Sequence, residues 1–311
     1  MLSNITDTIE KFVVTFPAGM GDVNSYLIKG KNGYTVIDTG INHREAIENW
    51  QKFLDSGAVI EKVVLTHTHE DHLGLARWFQ ETHGIPIVVS KLGYEQMEIR
   101  KQLTYEKMNH LITKYGGPKI PKNFKDDKTI YDFVPDEFFE KNQMIQLGDE
   151  LFEAIWTPGH AYDHFCFYNK EQKVMIVGDH ILKDISPVIG LWNGEEQNPL
   201  VEYFQSLELI KEYQSDIALP GHGDVIEEFE ERVSEISRNH QHRLEQVVDI
   251  IKTDYKNASE ICHEIYGTLN VIIQLSSFMA TVTRLLYLES LGKVERKEVD
   301  GVNTFRALSS T

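Results

Sequence analysis

Residues 66–72 read Thr-His-Thr-His-Glu-Asp-His and directly follow the apolar segment Val63-Val64-Leu65. The run places three imidazoles and a carboxylate at the end of a predicted strand. Neutral imidazole and carboxylate groups are typical ligands of zinc. Because alternate residues of an extended chain point to the same side, His67 and His69 can face one ion together. The run therefore predicts a metal site at a strand end, and the Asp-His pair that closes it can face a second ion.

Three later turns carry the same residue types. They read Thr157-Pro158-Gly159-His160, Gly178-Asp179-His180 and Pro220-Gly221-His222-Gly223-Asp224. Each turn follows an apolar segment, and its Gly and Pro residues allow the tight bend that directs a side chain out of the end of a strand. We therefore expect the candidate ligands to cluster at strand ends.

Strand and helix patterns alternate around these motifs. Short segments rich in Val, Ile and Tyr predict strands, and segments with helical periodicity predict helices between them. The strands are predicted at residues 12–16, 25–29, 34–38, 61–66, 86–90, 151–156, 166–168, 174–177 and 217–219, and the helices at 43–57 and 74–82. This alternation predicts an α/β (α+β) fold in which helices cover the faces of sheets.

The segment from residue 91 to about 146 breaks the alternation. It is rich in Tyr, Met and Lys and has a helical pattern as far as Tyr115, where Gly116-Gly117-Pro118 interrupts it. We interpret the segment as a helical insertion. Since insertions between ligand motifs lie near the site, it is a candidate lid that selects the substrate.

The C-terminal part has a different pattern. Asn257 can cap a helix that ends at Tyr266, a longer helix is predicted over residues 271–291, and Asp300-Gly301 is a turn signal between two strand-like segments. Helices followed by such a hairpin are typical of a winged helix. We therefore predict a catalytic domain over residues 1–228, followed by a helical linker and a small winged-helix-like domain over residues 229–311.

The composition limits the classes of partner. With 48 acidic and 31 basic residues, the chain has a formal charge of -17, which repels polyanions. Nucleic acid is therefore disfavoured, although Lys293, Arg296, Lys297 and Arg306 of the predicted hairpin could contact phosphates. No apolar run reaches the length of a membrane span, and the two cysteines form no redox or zinc pattern. We expect a cytoplasmic protein without a membrane partner, and a homo-oligomer is possible.

The ordered set of His-x-His-x-Asp-His followed by His, Asp and His resembles the metallo-β-lactamase superfamily over roughly residues 12–225. The resemblance implies an αββα sandwich with two divalent metal ions at one edge. It implies that His67, His69 and His160 bind the first ion, that Asp71, His72 and His222 bind the second, and that Asp179 bridges the two. Asp38, in Ile37-Asp38-Thr39-Gly40, matches a further motif and would support the ligands without binding metal.

A second resemblance concerns the subgroup. His240-x-His242-Arg243 leads into the winged-helix pattern, and Asp163-His164 closely follows His160. Both features are similar to a subgroup with a C-terminal winged-helix domain, which includes lactamase-like proteins of the LACTB2 type and glyoxalase II-like enzymes.

The implied chemistry is hydrolysis. Two divalent ions, expected to be Zn²⁺ with Fe or Mn as alternatives, can share a water and lower its pKa to about 7. Asp71 would act as a catalytic residue that orients the resulting hydroxide and passes its proton to the leaving group. Four further residues are candidates for supporting the ligands or contacting the substrate, namely Tyr162, His164, His180 and Trp192.

We expect the substrate to be a small molecule with an ester-like acyl bond, a thioester or a lactone. Three alternatives remain open. The winged-helix pattern is compatible with a metal-dependent endoribonuclease. The ligand types also suit a mononuclear-iron persulfide dioxygenase. A non-enzymatic regulator that uses the sandwich as a sensor is the third alternative.

Overall fold

Seven strands form the first sheet of the computed structural model, which describes residues 2–15, 22–120, 127–269 and 271–308. The strands lie in the sheet in chain order. They are β1 (Leu2–Asn4), β2 (Ile9–Val14), β3 (Val23–Lys29), β4 (Tyr34–Ile37), β5 (Ile60–Val64), β6 (Ile87–Ser90) and β7 (Glu137–Phe139). The first four strands pair antiparallel and the last four pair parallel. Phe16, at the end of one predicted strand, lies outside the described residues.

Parallel pairing requires crossover connections, and helices provide them here. Between β4 and β7 lie α1 (Arg44–Asp55), α2 (Glu70–Leu73), α3 (Ala76–His83), α4 (Lys91–Gln102), α5 (Tyr105–Lys114) and a short 3₁₀ helix (Lys128–Tyr131). The side chain of His43 caps α1, and Gly84, in a left-handed conformation with φ of 65°, ends α3. These two boundaries lie within two residues of the predicted ones.

The second sheet has five strands in the order β12-β11-β10-β9-β8. They are β8 (Met144–Leu147), β9 (Glu150–Trp156), β10 (Phe165–Asn169), β11 (Val174–Gly178) and β12 (Ile217–Pro220). The crossover between the parallel strands β11 and β12 contains α6 (Pro199–Ile210), a helix that the sequence analysis did not identify. Its first residue is a proline, which favours the first turn of a helix.

The central strands of both sheets are buried on both faces. Successive residues of a strand point to opposite faces, so Val63 of β5 packs under the outer helices while Val64 packs between the sheets. In the same way Cys166 of β10 faces the second helical layer and Phe167 faces the first sheet. Helices α1 and α3 thus cover one sheet, and α6 and the C-terminal helices cover the other. The predicted αββα sandwich is confirmed.

The predicted insertion is only partly helical. Thr104 caps a new helix with its side chain, so the helical segment consists of α4 and α5 rather than one helix. Later in the same range β7 and β8 join the first and second sheets, so both sheets draw a strand from residues 91–146. Their strand character was missed because both are short and at least half of their residues are exposed. Residues 121–126, with Pro121, lie outside the described part.

The C-terminal elements are α7 (Phe229–Ile250), α8 (Ala258–Tyr266), α9 (Val271–Ser290), β13 (Val294–Val299) and β14 (Val302–Ala307). A capping box of Asn257 and Glu260 begins α8. Asp300 and Gly301 form the hairpin turn, with left-handed φ values of 50° and 79°. The order of two helices and a hairpin agrees with the sequence analysis, whereas the winged-helix assignment stays a prediction.

The C-terminal unit shares a core with the sandwich. Apolar side chains of α7 and α9 belong to the same buried cluster as the outer face of the second sheet. Tyr115, which ends α5, stacks on Phe305 of the hairpin with ring centroids 6.2 Å apart. The two parts are therefore packed together through α5 as well as α6. Among the helices of the described ranges, none is both long and apolar enough to cross a membrane.

Candidate metal centre

The four motifs lie at the ends of four strands. Residues 66–72 follow β5 of the first sheet, whereas the other three motifs follow β9, β11 and β12 of the second sheet. Within residues 66–72 the backbone changes from extended at His69 to helical at Glu70, the first residue of α2. Side chains alternate in direction along an extended segment but repeat every 3.6 residues along a helix, so this change turns the Asp71 and His72 side chains away from those of His67 and His69. A single short motif can therefore supply two groups of ligands.

The first group consists of three histidines. His67, His69 and His160 each offer a ring nitrogen, and these atoms lie within 4.8 Å of one another. The Nε2 atom of each ring is buried and has no hydrogen-bond partner among the residues that the structure describes. Three converging, unpaired nitrogens of this kind match the donor set of a divalent metal ion, which would satisfy all of them at once.

The second group mixes carboxylates and imidazoles. Ligand atoms of Asp71, His72, Asp179 and His222 also lie within 4.8 Å of one another. Asp71 Oδ2 is 3.3 Å from His222 Nε2 and 3.7 Å from His72 Nε2. This group is therefore a second candidate site, and its donor set also fits a divalent ion.

Asp179 lies between the two groups. Its Oδ2 is 3.5 Å from His160 Nε2 of the first group and 3.3 Å from His222 Nε2 of the second, while its Oδ1 is 3.4 Å from His72 Nε2. Gly221 allows this approach, because a β-carbon there would lie 2.3 Å from Asp179 Oδ1. One carboxylate thus faces both candidate sites.

Hydrogen bonds behind the cluster fix the orientation of the rings. The Nδ1 atoms of His160 and His222 donate to backbone carbonyls of Val188 and Asp22, both at 2.9 Å. A proton on Nδ1 leaves the Nε2 lone pair free to bind a metal. Two loops therefore hold these rings in the tautomer that can bind a metal through Nε2. One loop follows Asp179, and the other precedes β3.

Asp38 lies behind His67 and His72. It has a left-handed backbone with φ of 57°. Its Oδ2 contacts His72 Nδ1 at 2.9 Å and accepts from the Thr66 hydroxyl at 2.7 Å, and its Oδ1 accepts from Thr66 N at 2.8 Å. The Thr66 hydroxyl in turn contacts His67 Nδ1 at 2.9 Å. One carboxylate therefore orients a histidine of each group.

The two groups differ in the charge that their side chains carry. Burial, and then the neighbouring imidazoles, hold the pKa of His67 well below its usual range. Burial opposes the charge of His222 as well, but the carboxylates of Asp179 and Asp71 together outweigh it and raise the pKa of His222 to about 10. The same pairing, against the effect of burial, holds the pKa of Asp179 well below its usual range. The first group offers neutral imidazoles, and the second is built around ionised carboxylates.

The remaining candidates lie in different places. His164 is buried behind the cluster, where its Nε2 accepts from Asp179 N at 3.1 Å and its Nδ1 contacts the Thr157 hydroxyl at 2.8 Å. His180 packs against the Tyr203 ring, 5.1 Å between centroids. Tyr162 and Trp192 line a cleft that His69 and His160 also line. Only these last two candidates reach the open side of the cluster.

Sequence reasoning missed other residues of the cleft. Gln96 and Arg100 of α4 and Asn193 of the loop after Asp179 line it. Nothing in their local pattern separates them from ordinary helix and loop residues. The sequence analysis names Asp163 only because it closely follows His160. In the structure, its Oδ2 accepts from both the amide and the hydroxyl of Thr68, at 2.8 Å each, and Thr68 lies between His67 and His69.

Comparison with known families identifies this arrangement. Residues 18–222 match the model of the metallo-β-lactamase superfamily. The chain belongs to this superfamily. The match ends at His222, so it includes all seven candidate metal ligands and stops short of the C-terminal unit.

Three relatives have names that bear on function. The probable metallo-hydrolase YqjP of Bacillus subtilis is 26% identical over 84% of this chain and 86% of its own length. A β-lactamase-like protein 2 homolog of Caenorhabditis elegans is 25% identical over 84% of this chain and 76% of its own. The atrochrysone carboxyl ACP thioesterase of Aspergillus fumigatus is 27% identical over 73% of this chain and 62% of its own.

Solved structures extend the likeness to the whole chain. A metallo-β-lactamase family protein from Thermus thermophilus has a TM-score of 0.84 at 24% identity, covering 97% of this chain and 99% of that one. A β-lactamase domain protein from Burkholderia ambifaria has a TM-score of 0.88 at 21% identity, covering 99% and 93%. At these identities the likeness shows the fold alone. Superfamily membership, the names of the relatives and the His/Asp cluster together support a hydrolytic enzyme that uses divalent metal ions.

Proposed function

We propose that this protein is a dinuclear metal-dependent hydrolase of an ester-like acyl bond, a thioester or lactone, in a small molecule. The position of Asp179 carries the proposal, because its carboxylate lies within 3.5 Å of a histidine of each group. A bridging carboxylate between two ligand sets is the arrangement that two-metal hydrolysis requires. The name of the fungal thioesterase relative supports the acyl substrate class.

The ligands divide as follows in this proposal. His67, His69 and His160 would hold one ion, Asp71, His72 and His222 the other, and Asp179 both. Zinc is the proposed metal because imidazole and carboxylate donors suit it, and iron or manganese can use the same set. When bound, such a pair polarises the scissile carbonyl and lowers the pKa of a nearby water to about 7.

Asp71 is the proposed catalytic residue of the chain itself. Its side chain is 29% exposed, against 8% for Asp179, so it faces the open side of the cluster. Although burial opposes ionisation, His72 and His222 hold the pKa of Asp71 below its usual range. An ionised Oδ2 can orient the attacking water, accept its proton and return the proton to the leaving group.

The hairpin gives little support to a nucleic-acid substrate. Arg296 pairs with Glu196 and Glu289, and Arg306 pairs with Glu295. Charges that are already paired contribute little to phosphate binding. We therefore propose the unit over residues 229–311 as a packing module for the catalytic domain over residues 1–228.

Metal analysis and a substrate panel test the proposed function. Purified protein is analysed for zinc, iron and manganese and then assayed with acyl thioesters, lactones, phosphodiesters and short single-stranded RNAs. We expect two divalent ions per chain and turnover of an acyl substrate. Asp179→Ala should lose metal and activity, whereas His110→Ala, a change of an exposed histidine on α5, should keep both.

Several outcomes would overturn the proposal. A single iron per chain with oxygen consumption would favour the persulfide dioxygenase. Cleavage of RNA, with affinity falling at a log-log slope of about -0.7 per phosphate contact as salt rises, would favour the endoribonuclease. Full activity of Asp179→Ala would remove the two-metal basis of the proposal altogether.

A further inference from the structure

The cleft beside the metal cluster has two walls. One wall is α4, and the other is the loop at residues 190–197 that follows the Asp179 motif. A second cavity shares Gln96, Tyr162 and Asn193 with this cleft and is also lined by Ile99. A molecule bound at the cluster can therefore extend between α4 and this loop.

Arg100 is an unpaired cation in this cleft. Its guanidinium makes no hydrogen bond or ion pair with any residue that the structure describes, and its Nε atom is fully buried. Arg232, Arg296 and Arg306, by contrast, each pair with a glutamate. Burying part of a cation without a partner is unfavourable.

Arg100 lies near the first ligand group, because it lines the same cleft as His69 and His160. Its charge opposes the effect of burial on the pKa of the Asp163 carboxyl. The guanidinium is therefore close to the first ligand group, although Asp163 uses its Oδ2 for Thr68 and forms no ion pair with it.

The acidic residues of the cleft do not neutralise Arg100. Glu195 pairs with Lys107 at 2.6 Å. Glu202, at the start of α6, is half-buried, and burial raises the pKa of its carboxyl. Neither lies within ion-pair distance of Arg100, so the guanidinium remains available to a ligand.

An amide pair lies one helical turn from Arg100. Gln96 and Arg100 are four residues apart on α4 and so share a face. Gln96 is 6% exposed, and its Oε1 accepts from Asn193 Nδ2 at 2.7 Å. Asn193 Oδ1 is buried without a partner. The pair joins the two walls, and its remaining polar atoms are free to contact a ligand.

We propose that the substrate of this hydrolase carries a small anionic group, a carboxylate or a phosphate, that Arg100 binds while the scissile carbonyl lies at the metal cluster. Gln96 and Asn193 would contact the polar part between them, and Arg100 would be the residue that determines specificity. A guanidinium fork matches the two oxygens of either anion. The inference rests on the proposed function and deepens it.

Three thioesters separate the two possible sources of the anion. Butanoyl-N-acetylcysteamine is neutral, succinyl-N-acetylcysteamine has a carboxylate on the acyl side, and butanoyl-coenzyme A has phosphates on the thiol side. Each is assayed with the metal-loaded parent, Arg100→Gln and Arg100→Lys. Lys101→Gln is the matched control, because it removes one positive charge from the next position of the same helix, where Lys101 pairs with Glu98.

Arg100→Gln should lower kcat/KM for one charged substrate by about 10- to 100-fold, the effect of a hydrogen bond to a charged group. The same change should leave the neutral substrate within about twofold, and Arg100→Lys should restore part of the loss. A loss confined to the succinyl substrate places the anion on the acyl side, and one confined to the coenzyme A substrate places it on the thiol side. Equal losses on all three substrates, or no loss on any, would overturn the inference.

A binding measurement keeps the inference separate from the proposed function. If the parent hydrolyses none of the three thioesters, the acyl-hydrolase proposal fails for this class. The anion site is then tested by the thermal shift that succinate and inorganic phosphate produce in metal-loaded parent and Arg100→Gln. A smaller shift in the variant for either anion supports the site, and identical shifts for both anions refute it.

Discussion

The strand ends and the space between α6 and α7 both contain histidine rings with buried nitrogens that lack a hydrogen-bond partner among the described residues, and the two regions differ in what surrounds these rings. At the strand ends, ring nitrogens of His67, His69 and His160 lie within 4.8 Å of one another. On α7, both ring nitrogens of His240 are buried without such a partner, and the rings of His240 and His180 both contact Tyr203 of α6. These two rings do not converge, because Tyr203 separates them with its ring centroid 5.1 Å from one and 5.3 Å from the other.

The two regions also differ behind the rings. His160 and His222 of the strand-end cluster are fixed by a carbonyl on Nδ1, which directs Nε2 forward. His240 contacts aromatic rings, and burial together with the nearby Arg284 charge lowers its pKa to about 3. A buried, unpaired imidazole therefore indicates a metal site only where several rings converge and their far nitrogens are fixed. Elsewhere it indicates a neutral ring that fills space in the core.

The comparison is tested most directly by removing one histidine from each region. His69→Ala should lose the first ion and reduce kcat/KM by at least about 1,000-fold, because metal-ion stabilisation is worth several kcal/mol. His240→Phe should keep both ions and most of the activity, since its ring faces Tyr203 and Phe204. Metal analysis and steady-state kinetics check both variants. Loss of metal from His240→Phe would contradict the distinction between the two regions.

Removing a hydrogen-bond partner behind the cluster should have a smaller effect on metal affinity or activity. Asp38→Asn should lower metal affinity or activity by about 10- to 100-fold, the usual result of removing a partner of a ligating histidine. The amide keeps the size of the side chain but has only one acceptor oxygen, so it loses either the Thr66 N bond made by Oδ1 or the Thr66 hydroxyl and His72 contacts made by Oδ2. Metal titration of the apo protein measures the change. Unchanged affinity would mean that Asp38 serves only to shape its own left-handed turn.

The sequence could predict the cluster more completely than the cleft. Residue type and spacing identify the candidate ligands in residues 66–72 and in the three later turns. The same local pattern predicts the strand ends at which they lie. The Val188 and Asp22 carbonyls that fix two of the rings have no side-chain signature. Arg100 becomes distinctive only when tertiary packing places it in the cleft with a buried, unpaired Nε atom. The strands β7 and β8 were missed because pairing with neighbours, not local pattern, makes them part of the sheets.

The buried His240 ring of the second region should affect the free energy of unfolding of the metal-free protein at acid pH. The folded-state pKa of His240 is about 3, and the ordinary value is 6.5. Below pH 6.5 the unfolded chain therefore binds a proton that the folded chain does not, so the contribution of His240 to the free energy of unfolding falls as pH decreases towards 3. At pH 5 the loss relative to pH 7 is roughly 2 kcal/mol.

His240→Phe removes this proton linkage. Urea unfolding in the presence of a chelator, at pH 7 and pH 5, should show the variant losing roughly 2 kcal/mol less than the parent. The difference between the two proteins cancels the titration of the metal ligands, which both retain. Equal losses in the two proteins would show that His240 is protonated in the folded state, and the ring would then need a partner.

The smallest effect is expected where the C-terminal unit contacts the loop that fixes His160. The Thr283 hydroxyl of α9 donates to the Ile189 carbonyl at 2.8 Å, and the adjacent Val188 carbonyl accepts from His160 Nδ1. Thr283→Val removes a neutral hydrogen bond, so it should lower the free energy of unfolding by about 1 kcal/mol and kcat by no more than about threefold. Thr281→Val is the control, because the Thr281 hydroxyl donates to the Ser277 carbonyl within the same helix. If both variants have the same kcat, the ring of His160 is held by the loop alone, and the C-terminal unit contributes to the fold of the strand-end cluster without tuning its chemistry.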